Sequence, residues 1–141
     1  MTSFNQRTID EFHARGGRGV GAWGDHLLLM TSRGRRSGRP ITTPLVYRRR
    51  GGAFVVVASM AGAPENPQWF SNLQVDPTVE VEVASMVGDG VERRAATARV
   101  VADGRERDEL YEFMTEIWPQ FADYARRTTR VMPVVVLEPA G

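Results

Sequence analysis

Residues 27–45 read LLLMTSRGRRSGRPITTPL, an apolar run followed by a basic turn and a second extended segment. The continuous apolar run at Leu27–Thr31 is typical of a strand buried on both faces. The turn Gly34–Arg39 offers backbone N–H groups, a serine hydroxyl and three arginines, which together suit a phosphate or carboxylate group. A solvated basic hairpin loop is the alternative, and spacing alone leaves both interpretations open.

Charge is segregated around this turn. From His26 to Pro64 the chain has seven arginines and no acidic residue, whereas residues 101–141 have five arginines and eight acidic residues. The formal net charge of +1 hides this division. Such asymmetry favours an anionic ligand at one face of the molecule, and the acidic C-terminal region argues against a nucleic-acid partner.

The composition excludes several kinds of chemistry. Cysteine is absent, which removes disulfides, thiolate nucleophiles and most structural zinc sites. All 18 basic residues other than the two histidines are arginine, so neither a Schiff-base lysine nor a phosphate-loop lysine exists. Guanidinium groups are permanent, forked charges that suit carboxylates and phosphates. Genome composition explains the arginine bias equally well.

The 141 residues predict a single domain spanning 1–141. No apolar run approaches the ~18 residues of a membrane span, and the N-terminus lacks a secretory pattern, which predicts a cytoplasmic protein. The opening helix has a thin apolar face (Phe4, Ile9, Phe12), which allows at most weak peripheral contact with a membrane. The sequence leaves membrane association and a homodimer open.

Helices are predicted at four points. The first covers Ser3–Arg15, with Thr8 and Glu11 at capping-box spacing, and ends at Gly16-Gly17. The second follows Asn66 as N-cap and Pro67 as the first helical residue. Two more follow in the second half of the chain, after Asp103 and at Gln120–Arg127.

Five or six strands are predicted, at Leu27–Thr31, Ile41–Arg49, Phe54–Ser59, Val79–Val83, Glu92–Val101 and Met132–Leu137. Gly51-Gly52 is a hairpin signal, so most neighbours pair antiparallel. The pattern favours a mainly β (α+β) fold in which a small antiparallel barrel is covered by helices.

Two further groups of residues are candidates for a binding pocket. Trp69 and Asn72 lie three residues apart and can face the same pocket, although Trp69 is equally typical of a core residue. Trp118, Phe121 and Tyr124 recur every third residue and predict either an aromatic wall over a flat ring or a core-facing stripe. Ser59 ends an apolar strand, where its hydroxyl can bond a substrate oxygen.

Taken together, these segments resemble the deazaflavin-dependent nitroreductase family of split-barrel flavin and deazaflavin oxidoreductases. The similarity spans nearly the whole chain, and its pieces occur in the family's order. They are Leu28-Leu29-Met30-Thr31, Gly34-Arg35-Arg36-Ser37-Gly38, Pro44-Leu45, Ala58-Ser59, Asn66-Pro67, Trp69, Asn72-Leu73 and the terminal 133–139.

The resemblance implies a split β-barrel with helices of the N-terminus and C-terminal half covering it, and coenzyme F-420, an 8-hydroxy-5-deazaflavin, as cofactor. It implies hydride transfer to a small electron-poor acceptor such as a quinone, enone or nitro compound. The phosphate and polyglutamate tail would be held by Arg35, Arg36, Ser37, Gly38, Thr43 and Pro44. The ring and acceptor would be lined by Ser59, Gly62, Ala63, Trp69 and Asn72.

The aromatic stripe departs from the family pattern, because Trp118 and Phe121 replace tyrosines and only Tyr124 keeps a hydroxyl. The acceptor pocket would then consist of Trp118, Phe121 and Tyr124, and the proton would come from Tyr124 or Ser59, the candidate catalytic residues, or from solvent. Two alternatives stay open: use of flavin mononucleotide (FMN) by the same fold, and a non-catalytic deazaflavin carrier. No metal site is expected.

We predict that Arg36→Ala weakens deazaflavin binding more than it slows hydride transfer at saturation, because a tail contact adds affinity without touching the reacting atoms. Optical titration and saturation kinetics measure the two effects separately. Unchanged cofactor affinity would contradict the assignment of the turn.

Overall fold

The computed structural model describes residues 4–140, which form seven strands and four α-helices. The elements are α1 (Phe4–Ala14), β1 (Leu27–Arg33), β2 (Pro40–Val46), β3 (Arg48–Arg50), β4 (Ala53–Val57), α2 (Gln68–Val75), β5 (Thr78–Ala84), β6 (Val91–Val101), α3 (Gly104–Thr115), α4 (Gln120–Arg127) and β7 (Val134–Pro139). Short 3-10 turns cover Gly21–Trp23 and Met60–Gly62.

All seven strands belong to one antiparallel sheet with the order β2-β1-β5-β6-β7-β4-β3. The sheet curls into a half-barrel, and helices cover it, which confirms the predicted split barrel. Strand β1 lies between β2 and β5 and is buried on both faces over Leu27–Met30, as its continuous apolar run predicts.

The basic turn closes the β1–β2 hairpin. The register runs from Leu27 opposite Val46 to Arg33 opposite Pro40. The Gly34 N–H donates to the Arg39 carbonyl at 2.8 Å, and the Gly38 N–H donates to the Gly34 carbonyl at 2.8 Å. Gly38 has a φ of 71°, a left-handed conformation that glycine adopts without strain.

Three apolar clusters follow from the alternation of the strands. The interior of the half-barrel holds Phe54, Trp69 and Phe70. The opposite face of β4 and β7 packs against α3 and α4 through Leu110, Met114, Phe121 and Met132. Helix α1 covers Leu27 and Leu29 of β1 with Phe12. Five of the seven strands, β1, β4, β5, β6 and β7, therefore contribute buried residues to these clusters.

The predicted strand Ile41–Arg49 is wrong as a single element, because Tyr47 interrupts it. Tyr47 is buried, its N–H donates to the His26 carbonyl at 2.9 Å, and its ring packs edge-on against Phe54. Only Arg48–Arg50 then pairs with β4 across Gly51-Gly52. The last strand begins at Val134 instead of Met132.

Two predicted helix caps are also wrong. Helix α2 begins at Gln68 with Pro67 as its N-cap, and the Asn66 side chain accepts a hydrogen bond from Arg130 instead of capping the helix. Thr8 and Glu11 lie inside α1, where the Glu11 carboxylate accepts from the Gly21 N–H at 2.8 Å. The predicted start at Ser3 lies outside the described residues.

We expect Phe54→Ala to lower the free energy of unfolding by about 3–5 kcal/mol, because the ring is fully buried and its removal leaves a cavity. Val75→Ala, at a side chain that is 68% exposed, should change it by less than about 0.5 kcal/mol. Urea unfolding of both variants checks the prediction, and equal losses would contradict the packing described here.

Candidate functional site

A cleft of about 270 Å³ lies between α1, β2, the turn Met60–Gly62 and α4. Its lining is mainly apolar, with a few hydroxyl and amide groups. It consists of Asn5, Thr8, Trp23, Leu27, Thr43, Pro44, Leu45, Val46, Val57, Ser59, Met60, Ala61, Pro67, Trp69, Trp118, Phe121 and Tyr124. A cleft with apolar walls and few polar groups is the usual form of a small-molecule site.

Seven of the residues singled out from the sequence meet in this cleft, namely Thr43, Pro44, Ser59, Trp69, Trp118, Phe121 and Tyr124. They come from β2, the end of β4, α2 and the α3–α4 region, which are distant in sequence. Seven others lie outside its lining, namely Arg35, Arg36, Ser37, Gly38, Gly62, Ala63 and Asn72.

The aromatic stripe serves the core and the cleft at once. Phe121 is only 3% exposed and packs against Tyr111 and Tyr124, with ring centroids 5.8 and 5.9 Å away. The Tyr111 hydroxyl donates to the Phe121 carbonyl, and burial raises the pKa of Tyr111, which keeps this donor protonated. Helix α4 is therefore anchored while Tyr124, half-buried, borders the cleft.

Asn72 anchors the basic turn and does not share the cleft with Trp69. It is 3% exposed, and its Oδ1 accepts from the Arg35 backbone N–H at 3.1 Å and from Arg35 Nη1 at 2.9 Å. Arg35 Nη2 also donates to Gln68 Oε1 at 2.7 Å. Arg35 is thus occupied in joining the turn to α2.

Two other arginines of the turn are available to a ligand. Arg36 and Arg39 are exposed, and neither guanidinium has a protein partner within residues 4–140. The Ser37 hydroxyl accepts from the Arg39 backbone N–H at 3.1 Å, which shapes the turn. Arg33 donates to the Gly38 carbonyl at 3.1 Å and lies 3.6 Å from Asp76.

The other three arginines of the basic segment are not part of this cluster. Arg48–Arg50 form β3. This strand follows the C-terminal end of β2, whereas the turn precedes the N-terminal end of β2. Arg48 donates to the Phe113 carbonyl and Glu116, and Arg49 donates to the Ala84 carbonyl. The charge that the sequence suggested as one positive surface is therefore divided between the turn and the far edge strand.

The turn and the cleft are connected along β2. Thr43 borders the cleft, and Pro40 begins the strand beside the turn, three residues away. At a rise of ~3.3 Å per residue the two features are about 10 Å apart. An elongated ligand with a flat head and an anionic tail can therefore reach both.

The segment that follows β4 has an unusual backbone. Met60, Ala61 and Gly62 have φ values of 47°, 53° and 81°, all left-handed. A Cβ at Gly62 would lie 2.7 Å from the Tyr124 carbonyl oxygen, so glycine is required for this segment to approach α4. Gly62 thus allows the segment that lines the cleft at Met60 and Ala61 to pack closely against α4.

Sequence reasoning missed Asn5, Thr8 and Trp23, which bring α1 and the turn Gly21–Trp23 to the cleft. It also missed Arg130, which binds the segment after β4. These contacts depend on tertiary packing, and no local pattern signals them. Within residues 4–140 no cluster of acidic or histidine side chains is placed to hold a metal ion, and no helix is long and apolar enough to cross a membrane.

A family model and curated relatives indicate the same family. A family model described as F420H(2)-dependent quinone reductase matches residues 5–139. An F420H(2)-dependent quinone reductase of Mycobacterium tuberculosis is 36% identical over 115 residues, which are 78% of this chain and 71% of that protein. The solved structure of an F420-H2 dependent reductase (FDR-A) is 34% identical, with a TM-score of 0.68, over 80% of this chain and 94% of that one. A structure described as a domain-swapped dimer is 32% identical, with a TM-score of 0.71, over 94% of this chain and 92% of that one.

We expect Gly62→Ala to lower the free energy of unfolding by at least about 1–3 kcal/mol, because the added Cβ meets the Tyr124 backbone and the φ is left-handed. Gly52→Ala, where a Cβ has nothing within 4 Å, is the matched control and should cost less than about 0.5 kcal/mol. Urea unfolding measures both. Similar values for the two variants would show that the close approach to α4 is not a constraint.

Proposed function

The chain belongs to the F420H(2)-dependent quinone reductase family, and on this premise we propose that its cleft holds the deazaflavin ring and a quinone. The turn Gly34–Arg39 would hold the anionic tail. The family makes the protein an oxidoreductase with coenzyme F-420 as cofactor. The observation that carries the assignment of the site is the convergence of seven sequence-predicted residues in one cleft, near Arg36 and Arg39, whose guanidinium groups have no protein partner within residues 4–140.

The residues present fit the cofactor at both ends. Trp69 and Trp118 provide flat apolar walls for a ring. Arg36 and Arg39 provide cations that no protein group neutralises within the described chain, and forked guanidinium groups match phosphate and carboxylate oxygens. Thr43 and Pro44 line the path between the two ends.

Arg35 and Asn72 have a supporting role in this proposal. Their hydrogen bonds fix the turn to α2, so the turn keeps its shape without a ligand. A preformed turn binds with less loss of conformational entropy, because its backbone is already ordered. Ser37 and Gly38 shape the same turn through a backbone hydrogen bond and a left-handed φ.

When bound, reduced coenzyme F-420 supplies a hydride from C5 of its ring. The chain's own contribution is positioning and exclusion of water. Trp69, Trp118 and Phe121 can confine two flat rings, and holding donor and acceptor atoms about 3–3.5 Å apart is the main catalytic benefit of such confinement. A hydride and a proton together convert a quinone to a hydroquinone, so the site also needs a proton source.

Tyr124 and Ser59 are the hydroxyl groups that we assign to this proton transfer. Both border the cleft, and Tyr124 is positioned by α4, which the Tyr111 hydroxyl anchors by donating to the Phe121 carbonyl. Trp118 and Phe121, which line the cleft next to Tyr124, have no hydroxyl groups of their own. A flat apolar quinone therefore suits the lining better than a bulky nitro compound that needs several hydrogen bonds.

A homodimer stays a prediction, supported by the domain-swapped dimer found for a similar chain. Cytoplasmic location also stays a prediction. The proposed function itself is tested by optical titration of the purified protein with coenzyme F-420 and with FMN, followed by turnover with menadione as the quinone. Tight F-420 binding with turnover supports it. Binding without turnover would favour a carrier, and preferential FMN binding would overturn the cofactor assignment.

We expect Tyr124→Phe to lower kcat by roughly 10²-fold with little change in F-420 affinity, because it removes a proton donor and keeps the ring. Tyr47→Phe is the control, since Tyr47 is buried outside the cleft lining and loses the same hydroxyl. Stopped-flow kinetics with menadione measures the effect. An unchanged kcat would remove Tyr124 as the donor and leave Ser59 or solvent.

A further inference from the structure

Arg130 connects the C-terminal loop to the segment that follows β4. It lies between α4 and β7, and its guanidinium binds four oxygens of residues 58–66. Nε donates to the Ala63 carbonyl at 2.9 Å, and Nη2 donates to the Ser59 carbonyl at 2.8 Å. Nη1 donates to the Ala58 carbonyl at 3.1 Å and to the Asn66 side-chain oxygen. One side chain thus holds the two ends of this segment together, residues 58–59 and residues 63–66.

The segment needs such a constraint because its backbone is strained. Met60 and Ala61 are the described non-glycine residues with positive φ, at 47° and 53°. Each such residue costs of order 1–3 kcal/mol and persists only where surrounding contacts enforce it. Arg130 on one side and the Tyr124 backbone against Gly62 on the other are the contacts that enforce it here.

The same segment borders the cleft through Ser59, Met60 and Ala61. Ser59 is right-handed helical and Met60 left-handed, a succession that forms a concave nest of backbone N–H groups. Within residues 4–140 the N–H groups of these three residues have no acceptor. Ordered donors without protein partners are available to an electron-rich oxygen of a bound molecule.

We propose that Arg130 is a positioning residue of this reductase, whose guanidinium holds the segment after Ser59 in the left-handed form, at Met60 and Ala61, that the bound deazaflavin ring requires. This inference rests on the proposed function, because it takes the cleft as the ring site. Arginine suits the position since its planar fork supplies donors to four oxygens at once, whereas the three donors of a lysine ammonium sit on a single atom.

Arg18 offers a matched control. Its guanidinium also clamps a loop through backbone carbonyls, those of Gly16, Ser85, Gly88 and Asp89. Neither Arg18 nor this loop borders the cleft. Arg18→Ala therefore removes a clamp of the same chemistry from a place where no ring contact is proposed.

The experiment compares the wild type, Arg130→Ala, Arg130→Lys and Arg18→Ala. Binding of oxidised coenzyme F-420 is measured by its fluorescence, with thermal unfolding recorded in parallel. We expect both Arg130 variants to raise the Kd at least about tenfold, the effect of ~1.4 kcal/mol of lost binding. Arg18→Ala should leave the Kd unchanged. Guanidinium chloride below its denaturing range should restore part of the affinity of Arg130→Ala and should not improve the wild type or Arg18→Ala.

The outcomes separate this inference from the proposed function. If the wild type binds F-420 and both Arg130 variants bind as tightly, Arg130 has no positioning role. If affinity falls without rescue and in proportion to the loss of thermal stability, Arg130 is merely structural and the inference is overturned. Should Arg130→Ala not fold, Arg130→Lys decides by its Kd. A wild type that binds no F-420 contradicts the proposed function itself.

Discussion

The hydrogen bonds between the Asn72 side chain and Arg35 are the interaction on which the site depends. One buried amide oxygen receives both the backbone N–H and the guanidinium of Arg35, so the turn after β1 is joined to α2. Because α2 also carries Trp69 into the cleft, the same short helix sets the position of the aromatic wall and of the basic turn. The two ends of the proposed ligand site thus share one rigid support.

Much of the fold could be predicted because local patterns and tertiary structure agree. The apolar run at Leu27–Met30 forms a doubly buried strand, and Gly51-Gly52 forms a hairpin. The failures occur where a tertiary contact overrides a local signal. Tyr47 leaves the strand and packs against Phe54, and the Asn66 side chain accepts from Arg130 instead of capping α2. The second contact spans 64 residues, so no local pattern indicates it.

The candidate site likewise combines residues that local patterns indicate with residues that only tertiary contacts bring into place. The turn residues and the aromatic stripe have recognisable spacing, and Thr43, Ser59, Trp69 and Tyr124 meet in one cleft. Arg130 donates hydrogen bonds to oxygens of residues 64–72 positions earlier in the chain, so no local motif indicates its role. Counting charge along the sequence also grouped Arg48–Arg50 with the turn, although they belong to the opposite edge of the sheet. Sequence order is a poor guide to which charges act together.

The separation of about 10 Å between the basic turn and the cleft has a consequence for how such enzymes diversify. In the proposed site, the anionic tail of the coenzyme is held at one end of β2 and the acceptor is bound toward the other end. In that arrangement, substitutions at Trp118 can change the acceptor while the contacts to the anionic tail stay intact. Since every cation of the turn is a guanidinium, the turn also keeps its positive charge across the whole physiological pH range.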